Sequence, residues 1–305
     1  MKLRAGRPDI ARYASRFTVP EASPESPLRV TFLGVASLLI SDGTSSIMTD
    51  GFFSRPSLLR LIRPISPDRA RIEAGLARVG VSALDAVLPV HSHYDHVQDS
   101  AVVAGLTGAA LVGGESTLNV GRGADLDTER LVPAIAGGTL TLGAYDITHV
   151  ASEHCPPDRF PGVISAPLRV PARVTAYRCG EAWSILVTHR PSGRRLLVQG
   201  SAGFVPGALA GQQAEVVYLG VGQLGLRPEA EIRQYWHETV VAVDARRAVL
   251  IHWDNFFRPL DQPLQAVSYS ADNLDQTMRI FDELGARDGV EVLFPTLWRA
   301  EDPWR

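Results

Sequence analysis

The spacing of hydrophobic residues along the chain alternates between two periods, and each change predicts a new element. Three short apolar runs predict the first strands, at 28–34, 36–43 and 45–51. Asp42-Gly43 lies between the second and third runs and predicts a hairpin turn. Apolar residues then recur at helical spacing over 67–80, and the fully apolar run at 84–90 predicts a buried strand.

Both periods recur through the rest of the chain. Further strands are expected at 109–114, 139–152 (a pair), 172–180, 182–189, 194–200, 214–220, 247–252 and 291–295. Further helices are expected at 98–108, 227–244 and 273–285. The helix at 227–244 carries an apolar stripe through Ile232, Trp236, Val240 and Val243, and Gly285 closes the last helix. We interpret the three strands between 172 and 200 as a meander.

This order of elements predicts an α/β (α+β) fold in which helices cover the outer faces of two sheets. Strands come first, then strand–helix alternation, then strands and alternation again, as two packed layers of sheet require. Residues 1–27 are polar and include Pro20, Pro24 and Pro27, so we expect an N-terminal arm that lies over the surface. The remaining residues, 28–305, are long enough to form a single domain with a sizeable core.

Composition and charge narrow the classes of function. The chain is 45% hydrophobic and has a net charge of −3, and no basic stripe with interleaved aromatic residues indicates nucleic-acid binding. No apolar run approaches the length of a membrane span or a signal peptide, so the cytoplasm is the expected compartment. Cys155 and Cys179 are too few for a disulfide framework, and we expect reduced thiols. Oligomeric state is open.

The clearest chemical signal is the segment HSHYDH, which follows the apolar strand at 84–90. His91, His93, Asp95 and His96 place four candidate ligands within six residues. Alternate residues of extended backbone point to the same side, and a following turn lets Asp95 and His96 face the same volume. Imidazole and carboxylate together suit a divalent transition metal, zinc first.

This segment resembles the His-x-His-x-Asp-His motif of the metallo-β-lactamase superfamily. Other segments match the family in order: TDGFF supplies Asp50, HVASEHCP supplies His154 and HWDNFF supplies His252. TDGFF and HWDNF look most like the branch with ascorbate-6-phosphate lactonases and N-acylphosphatidylethanolamine-hydrolysing phospholipase D. The resemblance implies a four-layer αβ/βα sandwich with metals at one edge of the sheets.

The resemblance also implies the roles of the site residues. His91, His93 and His154 would hold one metal, and Asp95, His96 and His252 a second, with Asp50 supporting a ligating imidazole. The family's bridging aspartate is missing, because the matching position reads Gly200-Ser201. Ser201 would be a weak replacement ligand, so we expect one firmly bound Zn²⁺ and one labile ion, with Mn²⁺ or Fe²⁺ as alternatives.

These expectations lead to a metal-dependent hydrolase that uses a metal-activated hydroxide on an ester, lactone or amide bond of a small molecule. Asp95 would be the general base if only the first metal is bound, and mainly a ligand if both are. Two alternatives stay open: a phosphodiesterase of phospholipase D type, and a metal-binding sensor without turnover. The roles of Tyr94 and Cys155 are also open, and we interpret the histidines outside the motifs as structural, namely His149, His189 and His237.

The phenylalanines beside the metal motifs have two interpretations. They either wall an apolar substrate pocket or seal the edges of the sheets, and they are Phe52, Phe53, Phe256 and Phe257.

Overall fold

In the computed structural model, which describes residues 5–305, fourteen strands form two sheets of seven. From edge to edge, the first sheet contains β14 (Ala300–Glu301), β1 (Arg29–Phe32), β2 (Leu38–Ser41), β3 (Ser46–Thr49), β4 (Ala86–Leu88), β5 (Ala110–Gly113) and β6 (Leu131–Pro133). The second sheet contains β13 (Glu291–Leu293), β12 (Arg247–Ile251), β11 (Val216–Gly220), β10 (Arg195–Gln199), β9 (Ala182–His189), β8 (Tyr145–Ser152) and β7 (Thr139–Leu142). Each sheet therefore mixes parallel and antiparallel pairs.

Helices connect all the parallel strand pairs except β10 and β11, which are joined by a turn-rich loop. The α-helices are α1 (Arg69–Arg78), α2 (Tyr94–Val97), α3 (Ser100–Thr107), α4 (Glu115–Gly123), α5 (Glu229–Trp236) and α6 (Leu274–Asp288). A π-helical turn, His237–Val241, extends α5. Short 3₁₀ helices lie at Ile10–Arg16, Leu58–Ile62, Thr128–Arg130, Val174–Ala176 and Leu224–Leu226. Within residues 5–305, no helix combines the length and apolar character that crossing a bilayer requires.

Three buried clusters divide the fold into four layers. The central cluster joins the inner faces of the two sheets, with side chains such as Phe32 and Ile40 meeting Tyr145 and Val249. A second cluster packs the outer face of the first sheet against α1 and α3. A third packs the outer face of the second sheet against α5 and α6. The predicted αβ/βα sandwich is confirmed.

Most predicted elements are present. The hairpin at Asp42-Gly43 joins β2 and β3, which pair from Leu39 opposite Met48 to Ser41 opposite Ser46, and Gly43 has a φ of 93° that suits its turn. The apolar stripe predicted over 227–244 is fully buried against the second sheet. Amphipathic spacing was therefore a sound guide to the helices that cover the sheets.

Two predictions were wrong. The segment at 172–180 is not a strand, because it forms only the 3₁₀ turn Val174–Ala176 within a long connection that contains Pro161, Pro167 and Pro171. The last helix does not end at Gly285. It continues to Asp288 and is capped by Gly289 at a φ of 70°, and Gly285 serves a close contact, since a Cβ there would lie 2.7 Å from the Val290 carbonyl oxygen.

The N-terminal arm is anchored first beside the second sheet and then at the β14 edge of the first sheet. Residues 1–4 of the predicted arm lie outside the described residues. Within the remainder, Phe17 stacks on Phe294 with ring centroids 5.2 Å apart and meets the edge of Trp253 at 6.1 Å. Val19 is buried, and the backbone of Glu21 forms an isolated antiparallel β-bridge with Glu301. Aromatic contacts of this kind stabilise the attachment of the arm.

Candidate metal centre

The predicted site residues follow strands whose ends meet at one edge of the two sheets. β3 and β4 are parallel, so Asp50 after β3 lies beside the histidine-rich turn after β4. In the second sheet β8, β10 and β12 run in the same direction, because β9 is antiparallel to both of its neighbours. His154, Ser201 and His252 follow these three strands. Each side chain therefore starts from a rigid base.

The first group of side chains brings together His91, His93 and His154, whose candidate ligand atoms lie within 4.8 Å of one another. His91 Nε2 is 3.1 Å from His93 Nδ1, and the rings of His93 and His154 have centroids 4.6 Å apart. His154 Nδ1 lies 2.7 Å from the Cys155 carbonyl oxygen and therefore carries the proton. The lone pair of His154 Nε2 is then available to a metal ion.

The second group brings together Asp95, His96 and His252, again within 4.8 Å. The short helix α2 begins after His93 and turns Asp95 and His96 toward the end of β12. Asp95 Oδ2 is 3.5 Å from His252 Nε2, and the Nε2 atoms of His96 and His252 are 3.2 Å apart. Asp50 lies 2.7 Å from His96 Nδ1, which places the proton of neutral His96 there and leaves its Nε2 lone pair facing His252, where a cation would bind. The residues therefore fit a divalent metal.

The pKa shifts of His91, His154 and Asp95 favour the protonation states that bind a metal ion. Burial lowers the pKa of His91 well below its usual value and lowers that of His154 to about 4. Burial alone would raise the pKa of Asp95, but the neighbouring His96 and His252 outweigh it and hold that pKa below its usual range. Neutral imidazoles and an ionised carboxylate are the states that bind metal.

Two carboxylates contact the outer nitrogens of the candidate ligands. Asp50 is fully buried at a φ of 51°, and its Oδ2 lies 2.7 Å from His96 Nδ1 while its Oδ1 accepts the Val90 N–H at 2.9 Å. Asp158 Oδ1 lies 3.1 Å from His93 Nε2. Contacts of this kind select the tautomer and orientation of a ligating histidine. Asp158 was missed in the sequence, where no motif distinguishes it.

Cys179 completes a third cluster with His93 and Asp158. Burial raises the pKa of the Cys179 thiol to about 12, so without a bound metal the thiol is protonated. Cys155 likewise has a pKa raised to about 12 by burial and packs in the apolar cluster under the second sheet. Both cysteines are free, and we interpret them as structural thiols.

Comparisons with known proteins agree with this geometry. No family model matches the sequence. Over 157 residues the chain is 29% identical to a protein of Methylobacterium nodulans described as a UPF0173 metal-dependent hydrolase, a match that covers 50% of this chain and 59% of the relative. The chain thus spans less than two thirds of that relative.

Solved structures share the fold at low sequence identity. The metallo-beta-lactamase fold protein YhfI of Bacillus subtilis superposes with a TM-score of 0.53 at 14% identity, covering 90% of this chain and 99% of that one. The protein therefore has the metallo-β-lactamase fold. CmlA, a diiron beta-hydroxylase of Streptomyces venezuelae, superposes with a TM-score of 0.51 at 13% identity over 92% of this chain and 55% of its own.

Ser201 occupies the position where a bridging aspartate is expected for the superfamily. Its Oγ accepts the Cys155 N–H at 3.0 Å, and Ser201 borders the same cavity as His93 and Asp95. Among the described residues, Asp95 and Asp158 are the only carboxylates in the candidate metal clusters. A hydroxyl carries no negative charge, so Ser201 would contribute less than an aspartate to holding a second metal ion.

A buried ion pair, not anticipated from the sequence, holds the loop that carries His252. Arg55 pairs with Asp254, and both side chains are fully buried. Asp254 also accepts the Val35 N–H at 2.9 Å, while the His252 N–H donates to the Val35 carbonyl oxygen at 2.7 Å. Val35, Arg55 and His252 all have positive φ, so the ion pair stabilises a strained turn.

A cavity of about 420 Å³ opens beside the two groups. The four phenylalanines divide between the two predicted roles. Phe256 and Phe257 line the cavity, whereas Phe52 and Phe53 are buried in the core next to α1 and α3. Tyr94 does both, since it borders the cavity and contacts Phe52 and Phe256 edge-on.

The histidines set aside as structural lie away from the candidate ligands. His149 is buried against Trp183 and burial lowers its pKa to about 4. His189 contacts Asp42 at 3.2 Å, and His237 is exposed at the start of the π-helical turn. None of the three joins a candidate metal cluster among residues 5–305.

Proposed function

We propose that this protein is a metal-dependent hydrolase that acts on a small molecule with an ester, lactone or amide bond. The observation that carries the proposal is the convergence of His91, His93 and His154 with Asp95, His96 and His252 at the mouth of one cavity. The Methylobacterium relative described as a metal-dependent hydrolase supports the same reaction class. The resemblance to the lactonase and phospholipase D branch remains a prediction.

The first group is proposed to bind its ion more firmly than the second. When bound, a divalent metal would acidify water and polarise the oxygen of the scissile bond. Zinc suits three imidazoles, and iron is the alternative, since CmlA is described as a diiron enzyme. The second group has two imidazoles where the first has three, and Ser201 supplies no bridging carboxylate to it. The proposed stoichiometry is therefore one firm and one labile ion.

The chain's own residues then have distinct roles. Asp95 has a low pKa and is a weak base, so we assign it to holding metal and orienting water and not to storing a proton. Asp50 and Asp158 hold the rings of His96 and His93 in place through contacts of 2.7 and 3.1 Å. Phe256 and Phe257 would pack against an apolar part of the substrate.

Phosphodiester hydrolysis is the second candidate, and one residue favours it. Arg159 is the only arginine among the residues that line the cavity, where no lysine occurs, and it forms no salt bridge with another described residue. A free guanidinium beside the candidate ligands suits a phosphate or carboxylate on the substrate.

A panel of lactone, phosphodiester and β-lactam substrates, assayed after loading with zinc or iron, tests the proposal. We expect turnover of a lactone or phosphodiester, its loss in His93→Ala, and its retention in His237→Ala, an exposed histidine outside the site. Turnover that survives His93→Ala would contradict the proposed site. A metal-loaded protein that binds these compounds without turnover would favour the sensor alternative.

A further inference from the structure

An exposed apolar helix borders the cavity mouth. We name Leu58–Ile62 the rim helix; it has 3₁₀ geometry, in which residues three apart share one side. Leu58 and Leu61 accordingly share the side that lines the cavity. Leu59 and Ile62 share another side, where their residues are 81% and 72% exposed. Exposed large apolar side chains clustered like this mark a contact surface.

The two segments around the rim helix are rich in arginine and contain no acids, although Asp68, Asp158 and Glu181 flank them. Two segments reach the cavity here, 51–67 and 159–180, and neither contains an aspartate or glutamate. Ile65 and Ala172 join them through backbone hydrogen bonds of 2.7 and 2.9 Å. Five of their arginines are exposed and form no salt bridge with any residue in 5–305: Arg60, Arg63, Arg159, Arg173 and Arg178.

This concentration of positive charge contrasts with the whole chain, whose net charge is −3. Val163 and Val170, in the same basic segment, are 64% and 42% exposed, so apolar and cationic side chains are interspersed over the surface. A folded protein surface usually mixes both signs of charge. Exposed leucines flanked by unpaired arginines are the combination that inserts into the headgroup region of an anionic bilayer.

We propose that the rim helix and the neighbouring basic segment 159–180 dock this protein on an anionic lipid membrane. Leu59 and Ile62 enter the interface, and the five arginines contact the lipid phosphates. The cavity, which Leu58, Leu61 and Arg159 border, then faces the bilayer. The inference goes beyond the proposed function and does not depend on it, because docking requires neither metal nor turnover.

Vesicle flotation with the full-length protein tests the inference. Vesicles of phosphatidylcholine alone are compared with vesicles of equal parts phosphatidylcholine and phosphatidylglycerol. We expect binding only to the anionic vesicles, with loss of binding when salt rises from about 0.1 to about 1 M and the Debye length falls from roughly 10 to roughly 3 Å. Leu59→Ser with Ile62→Ser should lower the partition coefficient about tenfold or more.

Matched controls separate docking from folding. Ile135 is 69% exposed and lies outside both segments, so Ile135→Ser should leave vesicle binding unchanged. Thermal melts check that every variant is folded. Absence of binding to anionic vesicles, or equal binding to both vesicle types, would overturn the inference. So would a dimer that forms in place of vesicle binding and dissociates in Leu59→Ser with Ile62→Ser, because the surface would then be an interface between two copies.

Discussion

Replacing Asp254 by Asn is expected to destabilise the protein strongly, because it leaves the Arg55 guanidinium buried without its counter-charge. Both side chains are fully buried, and Asp254 also receives the Val35 N–H at 2.9 Å. Asn can still accept that N–H through its carbonyl oxygen, so the change isolates the lost charge. Removing one partner of a buried pair costs roughly 3–5 kcal/mol of unfolding free energy.

Urea denaturation of Asp254→Asn measures that loss. Adding Arg55→Met to Asp254→Asn removes the orphaned cation, so the double variant should be more stable than Asp254→Asn alone. Glu73→Gln provides a matched control at an exposed ion pair. The side chains of Arg69 and Glu73 are 67% and 52% exposed, so breaking their pair should cost less than about 1 kcal/mol of unfolding free energy. A loss of less than about 1 kcal/mol in Asp254→Asn would refute the reasoning, and so would simple additivity of the two changes in the double variant.

Three further changes test the site and the core. Asp158→Ala frees the outer nitrogen of His93 and should weaken zinc affinity by about 10–100-fold by titration calorimetry, whereas Asp125→Ala at the exposed surface should not. Ser201→Asp restores a carboxylate after β10, so metal analysis should find a second equivalent retained on dialysis; an unchanged content would contradict the role given to Ser201. Burial lowers the pKa of His149 to about 4, below that of the unfolded chain, so the folded state resists its protonation and stability falls as pH drops from about 6.5 to about 4. His149→Leu should remove about 3 kcal/mol of that acid-induced loss in urea titrations across this range, and a wild-type slope in the variant would contradict the assignment.

The layers of the fold could be predicted because burial follows the hydrophobic period. The stripe through Ile232 and Trp236 lies against the second sheet, and the apolar run before His91 forms a central strand of the first. The errors arose where local signals were ambiguous. Gly285 resembles a helix stop, but it lies inside the last turn, where the chain folds back over it at Val290 and Val292 and leaves no room for a Cβ. The stretch at 172–180 alternates like a strand, yet prolines around it interrupt pairing.

The site was predictable to the extent that its residues carry a motif. The six candidate ligands were anticipated because their order along the chain is characteristic, and the structure brings them together in the two expected groups. Asp158, Arg55 and Asp254 act through contacts between segments up to 199 residues apart. Nothing in the local sequence around an aspartate indicates which distant histidine or arginine it will meet.

The most direct test of the central claim is anomalous diffraction from crystals soaked in zinc. The account predicts a strong anomalous peak bounded by His91, His93 and His154, and a weaker one bounded by Asp95, His96 and His252. A peak on the far side of His93, between Asp158 and Cys179, with nothing at the two predicted positions, would contradict the account. So would crystals without any zinc at this edge of the sheets.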